Sequence, residues 1–447
     1  MRRLRLVTAL LGILSVAAGL AATPMPAQAR AQAVRPAALA TPPKTPPGVV
    51  VTHLPAVKGG GDYAEGTAVT VDEKDRVLVA GVDGNDVLVL RYRPNGRLDR
   101  AFGRKGIARV AVATPRQEAA AGAISVDDRG RILVAATGNA YAVGRSKLVV
   151  LRLGQSGRLD RKFGRHGRYT RPRSSASDVV STASGGIVVT GRSLRPSGAL
   201  VIGLTSAGRV DRGFGDAKGI TRFSVYGSQE GVVVGTSAGS VVVDAEGRYV
   251  VEVGVFRGIG QPAENGVARL LPDGRLDSSY YDGGYHTEVT YGPRGSDVMG
   301  DGLALRSDGS VVSGGGVAGR FALLGYDADG APGGLLATTD LAAGQDERST
   351  AVVADAAGGI VSVGYTGRRV GVVRYVDGRA DTAFAGKGAL VRALRGYQQA
   401  RAYAVAVDRA GRVVVVGTAT PRNYRLGQGI LVMRLTESGR LDRHWHG

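Results

Sequence analysis

Short runs of alternating apolar residues recur along the chain from about residue 64 to its end, each closed by a turn. One kind of run ends in Asp: AVTVD at Asp72, AISVD at Asp127, SVVVD at Asp244, AVVAD at Asp355 and AVAVD at Asp408. A period of two is that of a strand with one face buried. A tight turn follows, with Gly in most copies (DRGR, AEGR), where Gly supplies the positive φ of a hairpin. A second apolar run then closes on a small residue: RVLVAG, RILVAA, GIVVTG, RYVVEVG, SVVSGG, GIVSVG, RVVVVG. After a loop of variable length comes a third: DVLVLRY, KLVVLRL, ALVIGL, GVARLL, RFALLGY, VGVVRY, ILVMRL. A fourth, such as GIARVAV, ends most units. Long helical periodicity is absent.

Between the third and fourth runs stands a repeated phrase. It reads GRLDRAFGRKG from Gly96, GRLDRKFGRHG from Gly157, GRVDRGFGDAKG from Gly208 and GRLDSSYYDGG from Gly274. Its turn glycine recurs at Gly330, Gly378 and Gly439, giving seven copies spaced by about 57 residues. Four antiparallel strands written seven times predict an all-β fold, a seven-bladed β-propeller of four-stranded antiparallel blades. A β-solenoid is the competing architecture, but its rungs are usually shorter. The seventh unit stops before a fourth strand, while GVVVTHLP (Gly48 to Pro55) precedes the first unit. This N-terminal strand is expected to close the ring and remove an open edge.

Six copies of the phrase carry an Asp (Asp99, Asp160, Asp211, Asp277, Asp381, Asp442) and, three residues on, an aromatic: Phe102, Phe163, Phe214, Tyr280, Phe384, Trp445. The Asp is expected to accept backbone amides and lock a turn. The aromatic is expected to fill the gap between blades. The fifth unit has Gly333 and Leu336 instead, which leaves open whether it is a complete blade. The unit resembles the delta-60 repeat of bacterial secreted and surface proteins over roughly residues 60 to 447. The match is good in units one, two, six and seven, fair in three and four, and poor in five. The resemblance implies a propeller of NHL-like layout and brings no catalytic residue.

The N-terminus changes the picture of location. A basic start (MRRLR), an apolar run (LVTALLGILSVAAGLAA) and the small-residue site Ala27-Gln28-Ala29 read as a signal peptide over residues 1–29. Residues 30–47 read as an Ala/Pro-rich linker and residues 48–447 as the propeller domain. The expected location is secreted, after cleavage near Ala29, with no transmembrane segment in the mature chain. The formal net charge is +20; loss of Arg2, Arg3 and Arg5 with the leader leaves about +17. That charge points to an anionic cell-envelope polymer or a protein partner. Basic residues are spread rather than run together, which disfavours nucleic acid. A monomer is expected.

Candidate chemistry is sparse. There is no Cys, and none of His53, His166, His286, His444 and His446 sits in a zinc-protease motif. Asp83 to Asp86 (DGND) and Asp327 to Gly330 (DADG) fall at turns and lack the Glu of an EF-hand. No catalytic residue, cofactor or metal site is assigned. In a propeller the loops from second to third strand share one face. Here they carry Tyr141, Arg145, Arg195, Phe256, Arg257, Arg368, Arg369, Arg422, Tyr424 and Arg425, so a basic recognition rim is expected there. The function expected is a secreted, non-enzymatic binding or scaffold propeller. The alternative is a channel-centred enzyme acting on carbohydrate, a hydrolase or lyase, signalled by mutually close carboxylates in the channel.

Overall fold

The computed structural model describes residues 41–54, 63–115, 117–142, 144–215, 218–225, 235–256, 264–281, 283–289, 302–423 and 426–447. Seven antiparallel sheets stand in a ring. From the channel outward, blade 1 is Ala64–Val71, Val77–Asp83, Asp86–Tyr92 and Ile107–Ala111. Blade 2 is Ala119–Val126, Ile132–Gly138, Lys147–Leu153 and Arg168–Pro172. Blade 3 is Ser174–Ser181, Ile187–Leu194, Ser197–Leu204 and Ile220–Phe223. Blade 4 is Gly235–Val243, Tyr249–Phe256, Glu264–Leu270 and Tyr285–Val289. Blade 5 is Leu303–Leu305, Val311–Val317, Arg320–Tyr326 and Pro332–Thr339. The weak fifth repeat is therefore a complete blade. Blade 6 is Glu347–Ala354, Ile360–Thr366, Arg369–Val376 and Ala389–Arg392, with Arg379–Ala380 as a short extra pairing. Blade 7 is Tyr397–Val407, Val413–Pro421 and Gly429–Leu435, completed by Val49–Thr52 from the N-terminus. The register runs from Val49 opposite Met433 to Thr52 opposite Ile430, so the ring closes as the sequence predicts.

The core lies between blades, which explains the Val-rich strands. A sheet inside the ring has both faces covered, and its middle strands need apolar side chains on both. Ala80, Val89 and Phe102 of blade 1 pack with Ile124, Val134 and Leu151 of blade 2. Val50 of the closing strand, Val416 and Val432 of blade 7 pack with Val79 and Leu90 of blade 1.

The small residue closing each second strand has a steric cause. The first strand bulges between Gly66 and Ala68, between Ser349 and Ala351, and between Ala402 and Ala404. Its carbonyls lean onto the second strand. A Cβ at Gly81 would collide with the Glu65 carbonyl, one at Gly364 with that of Arg348, and one at Gly417 with that of Arg401.

The repeated phrase is a clip between blades. Asp99 Oδ1 accepts the Ala101 N–H, and the same bond recurs at Asp160, Asp211, Asp277, Asp381 and Asp442. Its other oxygen holds an arginine of the third strand, Arg91 Nε to Asp99 Oδ2 at 2.9 Å. That guanidinium lies 4.5 Å from the Phe102 ring centroid and donates onward to the Gln155 carbonyl of blade 2. Arg152 does the same with Asp160, Phe163 and the Ser206 carbonyl, and Arg269 with Asp277, Tyr280 and the Ala328 carbonyl. Each aromatic is buried against the turn glycine of the next copy: Phe102 on Gly157, Phe163 on Gly208, Phe214 on Gly274, Tyr280 on Gly330, Phe384 on Gly439. Beside it runs an inter-blade backbone bond, Gly103 N–H to Ser156 O at 2.8 Å in the first case. In units three and five the arginine is replaced by Gly203 and Gly325. There Phe214 and Leu336 occupy the space a side chain would need.

Candidate functional site

Antiparallel alternation puts the clips and the Asp-ended turns on one face of the ring. The loops from second to third strand and the connections between blades lie on the other. Tyr141 and Arg145 are exposed on the loop after Gly138, Arg195 follows Leu194, Arg368 precedes the third strand of blade 6, and Arg422 follows Pro421. Arg145, Arg195, Arg368 and Arg422 are exposed, and Arg369 is half-buried. Phe256 ends a strand, but its side chain lies outside the described residues, as do Arg257, Tyr424 and Arg425. Residues 1–29, expected to be a signal peptide, and most of the expected linker also lie outside them. Tyr141 is brought to a polar cluster at the channel mouth, where blades 7, 1 and 2 meet.

Glu65 is the centre of that cluster. It stands at the mouth end of the first strand of blade 1, beside the bulge. Tyr63, bridged to Gln428 of blade 7, donates its hydroxyl to Glu65 Oε1 at 2.7 Å. The Gln428 amide reaches the same oxygen at 3.4 Å. Burial pushes the Glu65 carboxyl above the usual range, against the pull of those two hydrogen bonds, and the nearby Glu118 adds to the rise. Burial likewise raises the phenols of Tyr63, Tyr141 and Tyr403, and the charge of Glu65 raises each further. Three tyrosines and two carboxylates therefore share one neighbourhood. Neither Glu65 nor Glu118 has an ion pair among the described residues. Tyr63 is 40% exposed and Tyr141 49% exposed, although burial still raises both phenols. Near Tyr403, Arg401 of blade 7 stacks 4.3 Å from the centroid of Tyr365 in blade 6.

Other carboxylates that burial or packing singles out are occupied by the fold. Asp178 accepts the N–H groups of Val179 and Val241, tying blade 3 to blade 4. Glu347 accepts those of Leu341 and Ala342. Asp83 and Asp86 are held by Arg109 at 2.6 and 3.0 Å, and Asp327 accepts the N–H groups of Asp329 and Ala331. No group of three His, Cys, Asp or Glu that could hold a metal ion occurs among the described residues. None of their helices is long and apolar enough to cross a membrane. The mouth offers a carboxylate acceptor, an amide and phenols that donate or accept, two of them on partly exposed tyrosines.

Sequence reasoning missed Tyr63, Glu65, Glu118 and Tyr403, because it read the first strands as scaffold. The signal was present: YAEGTAVTV and QQARAYAVAV place large polar residues in strands otherwise built of Ala, Gly, Val and Thr. It also missed the third-strand arginines of the clips, although LRY, LRL, ARL, VRY and MRL repeat them.

No family model matches the chain, and no curated protein matches it. The delta-60 reading therefore rests on the repeated phrase alone. Solved structures are similar to the chain. The polysaccharide lyase Uly1 superposes with a TM-score of 0.50 at 10% identity, over 83% of this chain and 90% of that one. The α-L-arabinofuranosidase Arb93A of Fusarium graminearum gives 0.41 at 9% identity, over 86% and 95%. The calcium-binding protein regucalcin of Agrobacterium tumefaciens gives 0.37 at 12%, over 73% and 94%. At such identities the likeness concerns the fold, and the chain is a seven-bladed, all-β propeller.

Proposed function

We propose that this is an exported, non-enzymatic binding propeller of the delta-60 type that takes a hydroxyl-rich ligand, a neutral saccharide, at the mouth between blades 7, 1 and 2. The observation that carries the reading is the pair of partly exposed tyrosines, Tyr63 and Tyr141, beside a desolvated carboxylate that has no ion pair among the described residues. Tyrosine offers an apolar face for the C–H surface of a sugar ring and a hydroxyl for its edge. Glu65 and Gln428 supply the few placed polar groups that fix orientation in such sites. An anionic polymer, the partner suggested by net charge, is disfavoured at this spot because Glu65 and Glu118 face it. Arrays of neutral and charged glycans test the reading. Retention of neutral saccharides by the parent, lost in Tyr141→Ala, supports it; retention of charged glycans only would reject it.

A second reading is supported by the same carboxyl. A buried Glu whose carboxyl is raised above its ordinary range, beside a tyrosine hydroxyl, is a candidate general acid, which favours a carbohydrate-acting enzyme. Release of new reducing ends or of unsaturated products from any retained glycan, abolished in Glu65→Gln, would select it over simple binding.

A further inference from the structure

The strongest unassigned feature lies on the outer wall, away from the mouth. Between the fourth strand of blade 1 and the phrase of blade 2 is an open cleft of about 990 Å³. Arg109, Arg158, Arg161, His166 and Arg168 line it over a floor that includes Val110 and Leu159. Among the described residues no carboxylate and no Phe, Tyr or Trp lines it.

The arginines of the Asp-ended turns and of the clips are matched by carboxylates: Arg76 by Asp72, Arg131 by Asp127, Arg248 by Asp244, Arg412 by Asp408, and the clip arginines by their aspartates. In the cleft only Arg109 is matched, by Asp83 and Asp86. Arg168 donates to the Ala111 carbonyl at 3.3 Å and has no ion pair among the described residues. Arg158 and Arg161 have no ion pair among the described residues and stand exposed. The repeat underlines the point. Arg168 occupies a position filled by Ile107, Ile220, Tyr285 and Ala389 in other units. Blade 2 has placed a guanidinium where the pattern asks for an apolar side chain.

Unmatched guanidiniums along a concave wall attract anions spaced along a chain, since each can take a carboxylate or sulfate in a forked, two-bond contact. The cleft is far larger than one small anion. Without aromatic platforms it lacks the stacking that single-stranded nucleic acid uses. We propose that this cleft binds a linear anionic glycan, a carboxylated or sulfated polysaccharide, at a site independent of the channel mouth. Arg158, Arg161 and Arg168 hold the anionic groups.

The test is calorimetric titration of the full chain with polygalacturonate, heparin, polyphosphate, single-stranded DNA and neutral dextran, over a salt series. Binding of polygalacturonate or heparin that weakens with salt is expected, with at least a tenfold loss in Arg158→Ala/Arg161→Ala/Arg168→Ile. The Ile is the residue blade 1 carries at that position, so this variant should keep the parental melting temperature. Arg97→Ala/Arg100→Ala, the equivalent phrase positions of unit one, should change the affinity less than twofold, and Tyr141→Ala should leave it unchanged. Three results would overturn the proposal: no binding of either glycan at low salt, equal losses in the two arginine variants, or tighter binding of polyphosphate or DNA than of the glycans.

Discussion

The indole of Trp445, at the end of the last repeat, packs on the backbone of Gly96 in the first. A Cβ on Gly96 would lie 3.0 Å from the indole and 2.8 Å from the His446 nitrogen, and its φ is +91°. This is the clip seen between other neighbours, used here to join the two ends of the repeat array. The His446 N–H donates to the Asn95 carbonyl at 2.9 Å, and Arg434 lies 4.5 Å from the indole centroid. Gly96→Ala should therefore destabilise by about 1–3 kcal/mol, through strain at positive φ and the forced shift of Trp445. Trp445→Ala should cost about 3–5 kcal/mol as a core truncation. Denaturant melts of both variants check this, and a parental midpoint for either would refute it.

The second lock on the ring is the strand Val49–Thr52. Without it Ile430 to Met433 lose their outer pairing partner and keep only the inner one, Val415 to Thr418, and the buried Val49 and Val50 are removed from two inter-blade cores. Deletion of residues 48–54 should lower the melting temperature sharply. A deletion protein that melts with the parent would show that the ring does not depend on this strand.

The clips make the fold acid-sensitive. Burial alone would raise the Asp99 carboxyl, but the Ala101 N–H and the Arg91 guanidinium together hold it below its ordinary value of 3.8; Asp160, Asp277 and Asp442 behave alike. A carboxylate whose folded value is depressed stabilises the native state above its unfolded value. That stability is lost as pH falls through the folded value. Melting temperature should thus fall steeply below about pH 3.8. Asp99→Asn, which leaves Arg91 buried without its charge partner, should cost about 3 kcal/mol at neutral pH. Its own acid transition should be shallower than the parent's.

Glu65 has the opposite sign. Its folded value is raised above 4.5 by burial and by Glu118, so the native state holds the proton longer than the unfolded chain. Stability from this group is present in acid and declines as pH rises from 4.5 through the raised folded value. Glu65→Gln keeps an oxygen for the Tyr63 hydroxyl and removes the charge. The melting temperature of this variant relative to the parent should rise from near equality in acid to a gain at neutral pH. A constant difference across the range would mean that Glu65 is not desolvated.

The architecture was legible because repetition averages over local exceptions. Seven copies of an Asp-ended strand and a Gly-rich phrase define a blade even where unit five loses its Asp and aromatic. What escaped notice was relational. Arg91 reads as one polar residue in an apolar strand until the fold brings it within 2.9 Å of Asp99 and over Phe102. Glu65 and Tyr403 lie more than three hundred residues apart in sequence, and only ring closure makes them neighbours. The cleft arginines belong to a phrase whose repetition suggests structure, so that Arg168 stands out only when its equivalents, such as Ile107, are set beside it. The loop arginines were visible from the start, but their loops say nothing about the carboxylates that the first strands bring to the same face.

The most direct test of the account is calorimetric titration of the parent, Tyr141→Ala and Tyr63→Phe with the neutral saccharide that an array retains best. Binding by the parent, weakened roughly tenfold by removal of the exposed Tyr141 ring and less by loss of the Tyr63 hydroxyl alone, is the expected result. Equal affinity in all three proteins, with their folds intact, would contradict the assignment of the channel mouth as the binding site.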